Sequence, residues 1–139
     1  MNEQLRQAVQ AAQQMSEEAQ NAIATRILEE IKNQEWNAIV AQPQALNKLL
    51  LEKREDILRI AKENGTFNVR VLGPEASASD VDFLVDLEPG RNLLDLGGLM
   101  ADLQDLFGHE VGVVTERGLR SSFRDDAKGE YALKEAIPL

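Results

Sequence analysis

Two short apolar runs parted by a brief polar turn, residues 67–72 and 81–87, constrain this chain more than any other feature. Both are rich in valine, phenylalanine and leucine, too short for helices of ordinary length, and the first is closed by Gly73. They predict paired strands. On an extended chain successive side chains alternate faces, so Asp80 and Asp82 are expected on one side of the second strand, with Val81, Phe83 and Val85 on the other. One face is then core and the other carries two carboxylates. Such a pair repels itself, and a cation between the two groups relieves the repulsion. Mg²⁺ suits the role, because it takes one or two protein carboxylates and completes its octahedron with waters and substrate phosphates. The same residues also admit a plainer reading, in which Asp80 caps a turn and Asp82 is a solvated strand residue.

The segments around this pair alternate between helical and extended patterns. In residues 44–64, Leu46, Leu49, Leu50, Ile57, Ile60 and Ala61 recur at spacings of three and four, which predicts one long helix that Gly65 stops in the left-handed conformation. Glu88-Pro-Gly-Arg91 reads as a turn and Asn92 as the cap of a helix whose Leu93, Leu96, Leu99, Met100, Leu103 and Leu106 face the sheet. Gly97 and Gly98 interrupt that helix and read as packing glycines, and Gly108 ends it. A third strand is expected over 110–115. Beyond Gly118 the pattern is helical with an interruption at Gly129, and Tyr131, Leu133, Ala136 and Ile137 are expected to dock the tail. His109, with no second His or Cys nearby, reads as a surface residue.

Residues 1–41 form a different kind of segment. Leu5, Val9, Ala12 and Met15 make a weak apolar stripe, Ser16 with Glu17 and Glu18 signals a helix restart, and Ala19, Ile23, Ile27 and Ile31 line a second helix. An amphipathic hairpin results, able to cover the rest of the chain or a second copy. Trp36 reads as an apolar anchor, and Pro43 marks the boundary by disfavouring helix at Gln42.

Charge restricts the partners. The 139 residues carry 15 basic and 24 acidic side chains, a formal net charge of −9, which opposes association with nucleic acid and favours a basic protein. The tail from residue 116 balances five charges of each sign, so Arg117, Arg120 and Arg124 are the candidates for contact with a phosphate; a solvated mixed-charge face is the alternative. There are no cysteines, which excludes disulfides and thiolate chemistry. No apolar run approaches a membrane span, so no membrane role is expected and the cytoplasm is the default compartment.

Residues 45–139 resemble the minimal nucleotidyltransferase (MNT) family, antitoxin partners of HEPN toxins within the DNA polymerase β-like superfamily. The resemblance rests on Val69-Arg-Val-Leu-Gly73, Ser79-Asp-Val-Asp-Phe-Leu-Val-Asp86, Glu88-Pro-Gly-Arg-Asn-Leu-Leu-Asp-Leu-Gly-Gly98, Val113-Val-Thr115 and Glu135-Ala-Ile-Pro-Leu139, in that order. It implies an α+β fold: a mixed sheet flanked by helices over 44–139, with residues 1–41 as a helical extension. Those first residues weakly resemble part of another small bacterial antitoxin. The family implies ATP and Mg²⁺ as cofactors, Asp80 and Asp82 as catalytic metal ligands, Gly73 and Ser79 in the nucleotide-binding turn, and a HEPN-type ribonuclease as partner. Active members transfer AMP from ATP to a partner protein.

The chain departs from the family pattern at two places. Pro74 stands where the family has the serine of a Gly-Ser turn, and the stretch to Asp80 is several residues short. Gly112 stands where the family has a third aspartate, and neither Glu75 nor Glu110 lies at the matching position. The expectation is therefore an antitoxin that binds its toxin with weak or absent transfer; the alternative is an active Mg²⁺-dependent nucleotidyltransferase.

Overall fold

The computed structural model of the protein describes residues 1–73, 79–123 and 126–139, the side chain of residue 126 excepted. Pro74, Glu75 and Arg124, singled out above, lie outside the described residues. The chain divides into two units, 1–41 and 42–139.

The first unit is two helices, α1 (Glu3–Ala12) and α2 (Glu17–Val40). Each begins on a side-chain cap: Asn2 Oδ1 accepts from the Leu5 N–H at 3.1 Å, and Ser16 Oγ from the Ala19 N–H at 3.2 Å. Gln20 ties the turn by donating to the Ala12 carbonyl at 2.9 Å. Trp36 is the buried residue of α2, which runs on through it to Val40. The unit boundary therefore comes at residues 41–42, where Gln42, ahead of Pro43, is extended as expected.

The second unit begins with α3 (Pro43–Glu52) and α4 (Arg54–Glu63), two helices where one was expected. They part at Lys53 (φ −97°, ψ 2°), whose N–H reaches the carbonyls of both Leu49 and Leu51. The apolar period runs on across the break, and neither glycine nor proline marks it. Gly65 ends α4 with φ +71°, as the pattern predicts.

Next come β1 (Thr66–Val71), β2 (Asp82–Leu87), α5 (Leu93–Phe107), β3 (Gly112–Thr115), α6 (Glu116–Ser122), α7 (Asp126–Glu135) and β4 (Ile137–Pro138). The sheet order is β3-β2-β1-β4. β1 is antiparallel to β2 and β4, while β2 and β3 are parallel, a pairing that requires a crossover and receives it from α5. The fold is thus the α+β mixed sheet flanked by helices that the sequence implies.

Both faces of β2 are covered, contrary to the one-sided burial expected of it. Val81, Phe83 and Val85 are fully buried on the side of α4 and α5, where Phe83 meets Phe107 with ring centroids 6.0 Å apart. Leu84, on the opposite face, joins Leu72, Leu119 and Ala132 in a second cluster beneath α6 and α7. Central strands covered on both sides read as continuous apolar runs, and residues 83–85 do so.

The tail differs most from expectation. α7 continues through Gly129, and Ile137 with Pro138 forms an edge strand instead of a docked helix end. Leu133 and Ala136 pack on the second cluster, but Tyr131 and Ile137 are exposed. On α5, Leu99, Leu103 and Phe107 are buried, whereas Leu93 and Met100 are exposed. Gly98 does approach a neighbour, the Asn64 side chain at the end of α4, while Gly97 faces open space and is not a packing glycine. Among the described residues no helix is long and apolar enough to cross a membrane.

Candidate functional site

Asp82 opens β2 and is only 3% exposed. Its backbone is fixed from both sides: its carbonyl accepts from the Leu72 N–H at 3.0 Å, and the Val81 carbonyl accepts from the Gly112 N–H at 2.9 Å. A buried carboxylate lacking donors is strongly disfavoured. Here Oδ2 accepts from the Ser79 N–H at 2.8 Å, so the acid bridges back over the turn that precedes its own strand.

Gly112 lies directly across from Asp82 in the parallel register of β2 and β3. A Cβ built on Gly112 would stand 1.7 Å from Asp82 Oδ1, 2.9 Å from its Cγ and 3.4 Å from Ser79 Oγ. The Asp82 carboxylate thus occupies the space that any side chain at 112 would need. The role of this glycine is missed by sequence reasoning, because its neighbour is thirty residues earlier on another strand and no local signal announces the contact.

Asp80 is exposed and belongs to a bend, not to the strand. The alternation argument that placed Asp80 and Asp82 on one face therefore does not apply, since the chain is extended only from Asp82 onward. Ser79 is half-buried in the same bend and contributes its N–H to Asp82. Gly73 follows β1, half-buried, and among the described residues nothing lies within 4 Å of where a Cβ would stand.

Other charged candidates have structural partners. Asp86, further along the Asp82 side of β2, accepts from Arg70 Nη2 and Asn68 Nδ2, each at 2.9 Å. Arg120 bonds Glu130 and, at 3.2 Å, Glu116, linking α6 to α7; the two acids, Glu130 foremost, hold its guanidinium firmly charged. Arg117 is exposed. His109 is half-buried, with part of the residue at the surface.

The family's two-metal chemistry needs three carboxylates at one place. Among the described residues no group of three or more His, Cys, Asp or Glu side chains could hold a metal ion. The place of the third is filled by the Asp82 carboxylate itself, so the described residues do not fit a two-metal centre.

No protein-family model matches the chain. A protein of Methanocaldococcus jannaschii, described as a candidate protein adenylyltransferase, is 30% identical over 79 residues, a match spanning 53% of this chain and 85% of the relative. A solved structure described as a candidate minimal nucleotidyltransferase superposes with a TM-score of 0.53 at 38% identity, over 66% of this chain and 94% of the other.

Proposed function

Because this chain belongs to the minimal nucleotidyltransferase family, we propose that it works as an antitoxin, binding a basic HEPN-type ribonuclease in the cytoplasm and neutralising it by coverage, with weak or absent nucleotide transfer. The observation that supports this reading is the Asp82 carboxylate lying over Gly112, where a third acid would have to stand. Nucleotidyl transfer depends on positioning and on neutralising charge in the transition state. Losing one well-placed electrostatic group costs about 3–4 kcal/mol, roughly a hundred- to a thousand-fold in rate. The formal charge of −9 supports a basic protein as partner over RNA or DNA.

A second reading is favoured by the relative's description as a protein adenylyltransferase. Under it, Asp80 and Asp82 hold Mg²⁺, Gly73 and Ser79 border the ATP phosphates, and AMP passes to the toxin.

One experiment separates the two. The protein is incubated with labelled ATP, Mg²⁺ and a HEPN-type ribonuclease encoded beside it, in parallel with an Asp80→Ala/Asp82→Ala variant, while ribonuclease activity is followed. Inhibition without label is expected. Strong labelling that vanishes in the double variant supports the enzyme instead.

A further inference from the structure

We infer that α5 pairs with α5 of a second copy of this chain, about a two-fold axis passing at Gly97. Leu93 and Leu94 lie four and three residues before Gly97, and Met100 and Ala101 three and four after it, so the four side chains surround the glycine on one helix face. All are exposed: Leu93 by 77%, Leu94 by 84%, Met100 by 38%, and Ala101 with them. Single exposed leucines need no explanation. Four apolar side chains ringing a glycine form a patch with a depression at its centre, which marks an interaction surface. The depression is open, because among the described residues nothing lies within 4 Å of where a Gly97 Cβ would stand.

The face is self-complementary. When two antiparallel helices cross at Gly97, each Leu94 meets the other copy's Ala101 and each Leu93 its Met100, while the paired glycines admit close approach. That is an isologous contact, the same patch used twice. Charge selects a copy of this chain with the same polarity. Arg91 is the single basic residue between 88 and 107, against Glu88, Asp95, Asp102 and Asp105. It lies six residues before Gly97, and Asp102 and Asp105 lie five and eight after, so antiparallel crossing brings the base of each copy to the acids of the other. Arg91 already bonds Asp95 at 3.2 Å but is 41% exposed, and its guanidinium has further donors to offer. One helix pair buries less than the roughly 1,200–2,000 Å² of a stable interface, so the association is expected to be micromolar or weaker.

The test uses the full chain in sedimentation velocity from low to high micromolar concentration. A monomer–dimer equilibrium is expected, weakened at least about tenfold by Gly97→Gln and by Leu94→Gln, with thermal melts showing that both variants fold. The absence of cysteine allows a second measurement of the register. Gly97→Cys should form a disulfide-linked dimer under mild oxidation. Asp105→Cys, eight residues and about 12 Å from the axis, lies about 24 Å from its counterpart, too far to bridge, and should stay monomeric. A chain monomeric throughout, a dimer indifferent to both glutamine variants, or cross-linking at 105 and not at 97 overturns the inference. A chain monomeric alone whose capture of the basic ribonuclease is lost in Leu94→Gln also overturns it, and assigns the face to that partner.

Discussion

Gly112 and Asp82 set two effects against each other. Replacing a strand glycine by alanine ordinarily removes a conformational cost of about 0.5–1 kcal/mol. At Gly112 the new methyl would stand 1.7 Å from a buried carboxylate oxygen whose other oxygen is held by the Ser79 N–H. Overpacking costs about 1–3 kcal/mol, so the clash wins and Gly112→Ala should destabilise the fold by roughly that amount in chemical denaturation. In an Asp82→Ala background the obstacle is gone, and the same substitution should become neutral or stabilising; a double-mutant cycle reads the difference. Equal effects in the two backgrounds would mean that the carboxylate does not fill that space. Restoring the family acid by Gly112→Asp alone meets the same obstruction. Gly112 could be recognised in the sequence as a departure from the family, but not as the room Asp82 needs, because that contact exists only once β2 and β3 are in register.

The elements that were legible are those whose signals are local. Asn92 caps α5 as its position implies: its Oδ1 accepts from the Leu94 N–H at 2.8 Å, and Asp95 returns the bond by accepting from the Asn92 N–H at 3.0 Å. Gly108 closes the helix with φ +68°. The break at Lys53 carries no local mark, and elements fixed by distant partners were not legible either: the second covered face of β2, and β4, whose two residues are a strand only because β1 offers an edge. The cap of α5 also carries a titration. The Asn92 N–H foremost, and Arg91 after it, hold the Asp95 carboxyl below the ordinary aspartate range against the opposing effect of desolvation. A depressed folded-state pKa gives stability that is full above the unfolded value, about 3.9, and is lost as pH falls through the lower folded one. Asp95→Asn should therefore flatten the part of the acid limb of thermal stability below about pH 4 and leave the neutral limb parallel to the parent. Asn92→Ala, which removes the side-chain acceptor, should cost about 1 kcal/mol at neutral pH.

At the scale of the molecule the governing quantity is charge. Residues 1–41 carry three bases against six acids, residues 42–115 seven against thirteen, and the tail is neutral, so the excess is spread over both units and not gathered in one cluster. A distributed field steers an oppositely charged protein during approach, and its effect falls on the association rate more than on the lifetime of the complex. Screening tests this directly, because the Debye length contracts from about 10 Å at 0.1 M salt to about 3 Å at 1 M. Binding of a basic HEPN-type ribonuclease, followed by stopped-flow, should slow at least about tenfold across that range while dissociation changes by no more than about two- to threefold. Charge reversal at exposed acids such as Glu29, Glu30 and Glu35 should reduce the association rate and flatten its salt dependence together. An association rate indifferent to salt would remove electrostatic steering from the account of partner choice, and one that rose with salt would point to a partner carrying the same sign of charge as this chain.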